Sequence, residues 1–191
     1  MSKNIIIADG DHIDRVALNL TVNFERMLGR RIPQADMARW ADCVALDGGV
    51  RQGDDTTRVV LIHDKGAAGL RNFTPGQYAT ELHGQAFKDH LGEFTFEAYP
   101  VEELTTKEDF FTEAVLTVCQ QEDVKRIMIV PDEAYYNKVR SELNHIDSDK
   151  RITVFAMQPM AGGAFRQEIL GYSLMAALGI RGDEISADST N

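Results

Sequence analysis

Apolar and polar residues switch between two periods along this chain, and the switches outline its elements. Residues 5–8 (IIIA) are apolar without a break and stop at Asp9-Gly10-Asp11. A short run that is apolar on both faces is the pattern of a strand covered by helices on each side. The period then lengthens. Ile13, Val16, Ala17, Leu20, Phe24, Met27 and Leu28 recur at helical spacing, and Gly29 ends the stretch. A second helical segment runs over 34–46 around Trp40, and the Gly- and Asp-rich residues 47–57 read as an exposed loop. Residues 58–63 (RVVLIH) form a second strand, 65–76 are irregular, and 77–91 read as helix. Residues 94–99 alternate as a third strand halted by Pro100. Further strands are predicted over 126–130 and 151–157, with helices over 105–121, 132–143 and 165–178.

Strands separated by helices at this rhythm give βαβ units with right-handed crossovers. The expected fold is one α/β domain over 1–180, a three-layer α/β/α arrangement around a five-stranded, mostly parallel sheet. Residues 181–191 are polar and are expected to fray. Composition agrees with a globular domain, at 43% hydrophobic and 26% charged residues over 191 positions. No apolar run approaches the roughly 20 residues of a membrane helix, and the run before Asp9 is too short for a signal h-region. A cytoplasmic location is therefore expected. Cys43 and Cys119, without CxxC or His-rich spacing, read as small buried residues in a reducing compartment. The net charge of −10 lacks the basic stripe of a protein that lives on phosphate contacts.

Open α/β sheets bind ligands beyond the carboxyl ends of their strands, where strand order reverses. Acids gather at these positions. Asp9 and Asp11 follow the first strand, Asp132 and Glu133 follow the fourth, and Asp109 lies in the first turn of the helix between 105 and 121. Carboxylates brought together raise one another's pKa unless a cation neutralises them. Hard oxygen donors of this kind suit Mg²⁺ or Mn²⁺, which would activate a water for attack on phosphorus. Each acid also has a plainer role. Asp11 can cap the first helix, Thr105 and Glu108 form a capping-box pattern beside Asp109, and Asp132 stands at a helix N-cap position. Asp9, ending a buried strand, needs a partner in any case.

His12 beside these acids is either an acid–base group or an exposed helix-start residue. His63, His83, His90 and His145 have no metal-ligand spacing. Gly162-Gly163 reads as a phosphate-cradling turn ahead of a helix or as a plain turn. Tyr135 and Tyr136 offer a stacking face for a base or pack on the sheet.

Four segments, in order, resemble the NYN domain, a branch of the PIN-like ribonucleases. They are IIIADGDHI (5–13), KEDFFTEAVLTVC (107–119), IMIVPDEAYYNKVRSEL (127–143) and RITVFAM (151–157). The resemblance implies a parallel sheet of order 3-2-1-4-5. It also implies a metal site made by Asp9, Asp109 and Asp132 with Asp11 as accessory, and metal-assisted cleavage of RNA. The sequence departs from the family pattern at three points: His12 stands for an Asn, Pro131 for a Gly and Ala134 for an Asp.

Two other readings compete. IIIADGDHI also resembles the Asp-x-Asp strand of haloacid-dehalogenase-type phosphatases, with Asp9 as nucleophile and Asp11 as general acid. Against this, position 13 is Ile rather than Thr or Val, and no later Lys and acidic pair is well placed in the sequence. The third reading is a non-catalytic PIN-like domain that binds a protein partner or a second copy of itself. The acidic charge, the three departures and the apolar stretch 169–178 favour it.

Overall fold

The structure is a computed structural model that describes residues 3–53 and 56–188. Nine strands are found among these residues: β1 (Asn4–Asp9), β2 (Ala35–Asp36), β3 (Thr57–His63), β4 (Phe73–Thr74), β5 (Ala86–Asp89), β6 (Gly92–Pro100), β7 (Arg126–Val130), β8 (Arg151–Ala156) and β9 (Arg166–Ile169). The helices are α1 (Gly10–Leu28), α2 (Met37–Asp47), α3 (Lys107–Cys119), α4 (Tyr136–Asn144), α5 (Leu170–Ala177) and α6 (Gly182–Asp188). A π-helical turn (Tyr78–Leu82) and a 3₁₀ turn (Glu133–Tyr135) complete the set.

The apolar run at the start of the chain becomes the central strand of the sheet. Ile5 and Ile7 enter one core and Ile6 and Ala8 the other, and none of the four is exposed. Alternating side chains make both faces of β1 apolar, so helices must cover both. On one side α1, α2 and α5 enclose Trp40, Phe94 and Phe155; on the other α3 and α4 enclose Phe111, Tyr136 and Val139. The class is α/β with a mostly parallel sheet, as expected from the pattern.

The sheet has seven strands rather than five, in the order β5-β6-β3-β1-β7-β8-β9. Both additional strands lie at the edges, and both replace segments read as helix. Within 77–91, helical spacing holds only from Tyr78 to Leu82. Gly84, at φ 80°, then turns the chain, and β5 pairs antiparallel with β6. The rings of Phe87 and Phe94 stack across that hairpin at 4.7 Å. Within 165–178, residues 166–169 pair with β8 as β9, and helix begins only at Leu170. The edge strands are four residues each, β9 is largely polar and β5 carries Lys88 and Asp89, which blunts edge-to-edge pairing.

The apolar C-terminal stretch is consumed inside the molecule. Leu170, Leu174 and Leu178 are fully buried and α5 lies against α2, leaving Tyr172 as its large exposed side chain at 71%. The segment from 181 is not frayed over its described length. Residues 182–188 form α6, Glu184 accepts two hydrogen bonds from Arg30 at 2.8 and 3.0 Å, and Ile185 rests on the core. That carboxyl is held at about 2 by the Arg30 hydrogen bonds, with help from the Arg181 amide. The end of the expected tail, 189–191, lies outside the described residues. Cys119 is buried, Cys43 is only partly so, and both are free thiols. Among the described residues no helix is long and apolar enough to cross a membrane.

Candidate functional site

Strand order reverses at β1, where the chain passes to β3 and β6 on one side and to β7 and β8 on the other. The carboxyl end of β1 therefore faces the crevice where ligands of open α/β sheets bind. Asp9 ends this strand and also caps α1, its Oδ1 accepting from the His12 amide at 3.0 Å. The cap is thus Asp9 rather than Asp11. The other oxygen of Asp9 accepts from the Tyr135 hydroxyl and lies 3.3 Å from the Lys107 ammonium. Asp9 is completely buried.

Gly10 explains how the next acid is held. A Cβ at this position would come within 2.4 Å of the Tyr78 hydroxyl, so only glycine lets that ring approach α1. Tyr78 stacks on His63 at 3.8 Å and donates to Asp11 Oδ1 at 3.2 Å. Asp11 Oδ2 accepts from the Asp64 amide at 2.6 Å, which fixes a third carboxylate just beyond β3. Lys107, the first residue of α3, reaches all three acids. Its Nζ is 3.3 Å from Asp9, 3.5 Å from Asp11 and 3.4 Å from Asp64.

Electrostatics follow from this geometry. Burial alone would lower the Lys107 pKa, but Asp9, Asp11 and Asp64 together raise it above its ordinary value. Burial raises the pKa of Asp11, with Asp64 and Asp9 adding to the rise and Lys107 and the Asp64 amide opposing it. Burial, followed by the adjoining carboxylates, pushes the Tyr78 and Tyr135 phenols well above their ordinary value, so both remain hydrogen-bond donors.

The other two expected metal acids do not join this group. Thr106, one residue later than the Thr105 of the sequence reading, caps α3 by accepting from the Asp109 amide at 3.1 Å. Asp109 stands two residues after Lys107, about 200° round the helix. Lys107 points into the crevice, so Asp109 points away and pairs with Lys138. Asp132 does act as a cap, accepting from the Ala134 amide at 2.9 Å, and its second oxygen binds Arg15 at 2.7 Å. Between Asp132 and Asp9 lies His12, which is buried at 7% exposure and not exposed at the helix start. Its Nδ1 is 3.9 Å from Asp132, and its Nε2 has no hydrogen-bond partner among the described residues. Burial lowers its pKa, and Asp132 and Asp9 offset this only in part. Glu133 turns elsewhere, accepting from the Met157 amide at 2.7 Å. Among the described residues no group of three or more His, Cys, Asp or Glu is placed to hold a metal ion.

At two further positions the plainer alternative holds. Gly162-Gly163 precedes β9 rather than a helix, so no helix N-terminus backs it. A Cβ at Gly163 would come within 2.5 Å of the Phe165 ring. Tyr135 and Tyr136 are both buried, Tyr135 against Phe111 and Tyr136 hydrogen-bonded to the Ala161 carbonyl, so neither offers a face to a base. Lys107 and Asp64 were missed as site residues. Asp64 was within reach of the rule that led to the others, since it lies just past a strand end. Two clefts flank the 64–77 loop. One, of about 830 Å³, is lined by Asp11, Asp14, Arg15, Asp64 and Arg71; the other, of about 470 Å³, by His63, Tyr78, His83 and Pro100.

No curated protein and no solved structure matches the chain. Residues 1–185 match the family of unknown function DUF6621, and the chain belongs to that family.

Proposed function

We propose that this chain is a divergent PIN/NYN-like domain that works by binding a protein partner at the carboxyl edge of its sheet, and not by metal-dependent hydrolysis. The inner strand order β6-β3-β1-β7-β8 supports the PIN-like part of this reading, with β5 and β9 as additions at the edges. The observation that carries the rest is the fate of the four acids. Mg²⁺ demands near-octahedral oxygen ligation at about 2.0–2.1 Å. Here Asp109 is paired with Lys138, Asp132 with Arg15, and Asp9 and Asp11 with Lys107. This donor set does not fit Mg²⁺ or Mn²⁺.

The phosphatase reading gains a lysine beside its Asp-x-Asp pair, which the sequence did not reveal. It fails on access, because a nucleophilic carboxylate must reach phosphorus and Asp9 is sealed by His12, Tyr135 and Lys107. RNA, the substrate implied by the resemblance, is disfavoured by the net charge of −10. The clefts beside the 64–77 loop, with three carboxylates and two arginines in the larger one, suit a polar protein segment.

The test is an RNA-cleavage assay on labelled single strands with millimolar Mn²⁺ or Mg²⁺, comparing wild type and Asp9→Asn. The expected result is no cleavage above buffer by either protein. Metal-dependent cleavage by the wild type that disappears in Asp9→Asn would overturn the proposal.

A further inference from the structure

The acids that do meet at the end of β1 share a lysine. We infer that Lys107 is the resident cation of this centre, holding with Asp9, Asp11 and Asp64 the electrostatic place that the PIN-like resemblance gives to a divalent metal. This rests on the reading that the site is metal-free, and it adds the group that neutralises the carboxylates and the acid, Asp64, that completes them.

An ammonium carries three donors, and three carboxylates stand 3.3–3.5 Å from Nζ. The side chain of Lys107 is only 16% exposed, that of Asp11 13% and that of Asp9 not exposed at all, so these two pairs are not surface ion pairs with little net effect, whereas Asp64, at 59%, is screened by solvent and contributes less. A buried carboxylate left without a cation is costly. Helix polarity makes the same point. Lys107 occupies the first position of α3, where the positive end of the helix dipole disfavours a cation and favours the acids Glu108 and Asp109 that follow it. The three carboxylates supply the reason for a lysine at this position. The centre also ties elements together, since Asp9 and Asp11 flank the β1–α1 junction, Asp64 follows β3 and Lys107 opens α3.

The experiment is thermal unfolding near neutral pH of wild type, Lys107→Met and the Asp9→Asn/Lys107→Met double variant, with chelator and with millimolar Mn²⁺. Asparagine caps a helix as well as aspartate does, so the double variant keeps the α1 cap. The wild type is expected to melt at one temperature under all conditions. Lys107→Met is expected to lose about 5–15 °C, and the double variant to regain at least about half of that loss. Any of three results would overturn the inference: Lys107→Met melting with the wild type, a double variant losing more than Lys107→Met, or Mn²⁺ raising the wild-type midpoint. If Lys107→Met does not fold, a folded double variant supports the inference and an unfolded one overturns it. The RNA assay is read separately from these melts. Metal-dependent cleavage lost in Asp9→Asn overturns both readings, whereas silent RNA with uncoupled melts removes only the role of Lys107.

Discussion

Gly10 holds open the space in which the Tyr78 hydroxyl meets Asp11, and the stacking of Tyr78 on His63 depends on the same gap. A methyl group there forces the ring away. Gly10→Ala should therefore cost about 1–3 kcal/mol in urea unfolding, the usual range for overpacking a close contact. The same change should weaken the hold of Asp11 on the 64–77 loop, read as faster amide exchange around Asp64. A second residue-scale consequence lies away from the centre. The Asp42 carboxyl on α2 is pushed up to about 7, first by burial, then by its hydrogen bond to Asp89 and the charges of Asp89 and Asp36, with Arg39 opposing them. Its folded pKa lies above its unfolded one, so its contribution to stability is complete below the unfolded value and is lost as pH rises through about 7. The melting temperature should fall over that window, and Asp42→Asn should flatten the fall. A wild-type slope unchanged in Asp42→Asn would show that other groups set it.

At the scale of elements, α3 matters most because its first turn delivers Lys107. Thr106 caps that turn, and Thr106→Ala should cost about 1 kcal/mol in denaturant unfolding. The loss should also raise amide exchange across residues 107–110. Other elements show where the sequence was readable. The strands β1, β3, β7 and β8 announce themselves through apolar runs, because a strand covered on both faces has apolar side chains at nearly every position, and β6 shows itself through the alternation of Phe94, Phe96 and Ala98 with polar residues. The edge strands do not. The four residues of β9 bond through their backbone while most of their side chains face solvent, so RQEI carries no strand pattern. The segment before β6 misleads for another reason: Tyr78 and Leu82 share helical spacing for one turn, and the contact that decides the rest, Phe87 on Phe94, is made across a hairpin. The site divides similarly. Asp9 and Asp11 are legible from the strand end that they follow. Asp109 is not, since its facing depends on which residue of α3 turns inward, and that residue is Lys107. The lysine itself becomes legible only once the ends of β1 and β3 and the start of α3 are known to meet.

For the whole molecule, charge and packing argue against self-association. The leucines of α5 are buried within the monomer, the edge strands are short, and the net charge is −10. Light scattering should show a monomer at high micromolar concentration, and a concentration-dependent dimer would contradict this. The proposed Lys107 centre requires that the carboxylates at the end of β1 be neutralised from within the chain. Calorimetric titration of the wild-type protein with Mn²⁺ tests it most directly. No saturable heat is expected up to millimolar metal, and the same trace is expected after treatment with chelator. Micromolar binding that vanishes in Asp9→Asn would contradict it and return Asp9 to the role of a metal ligand.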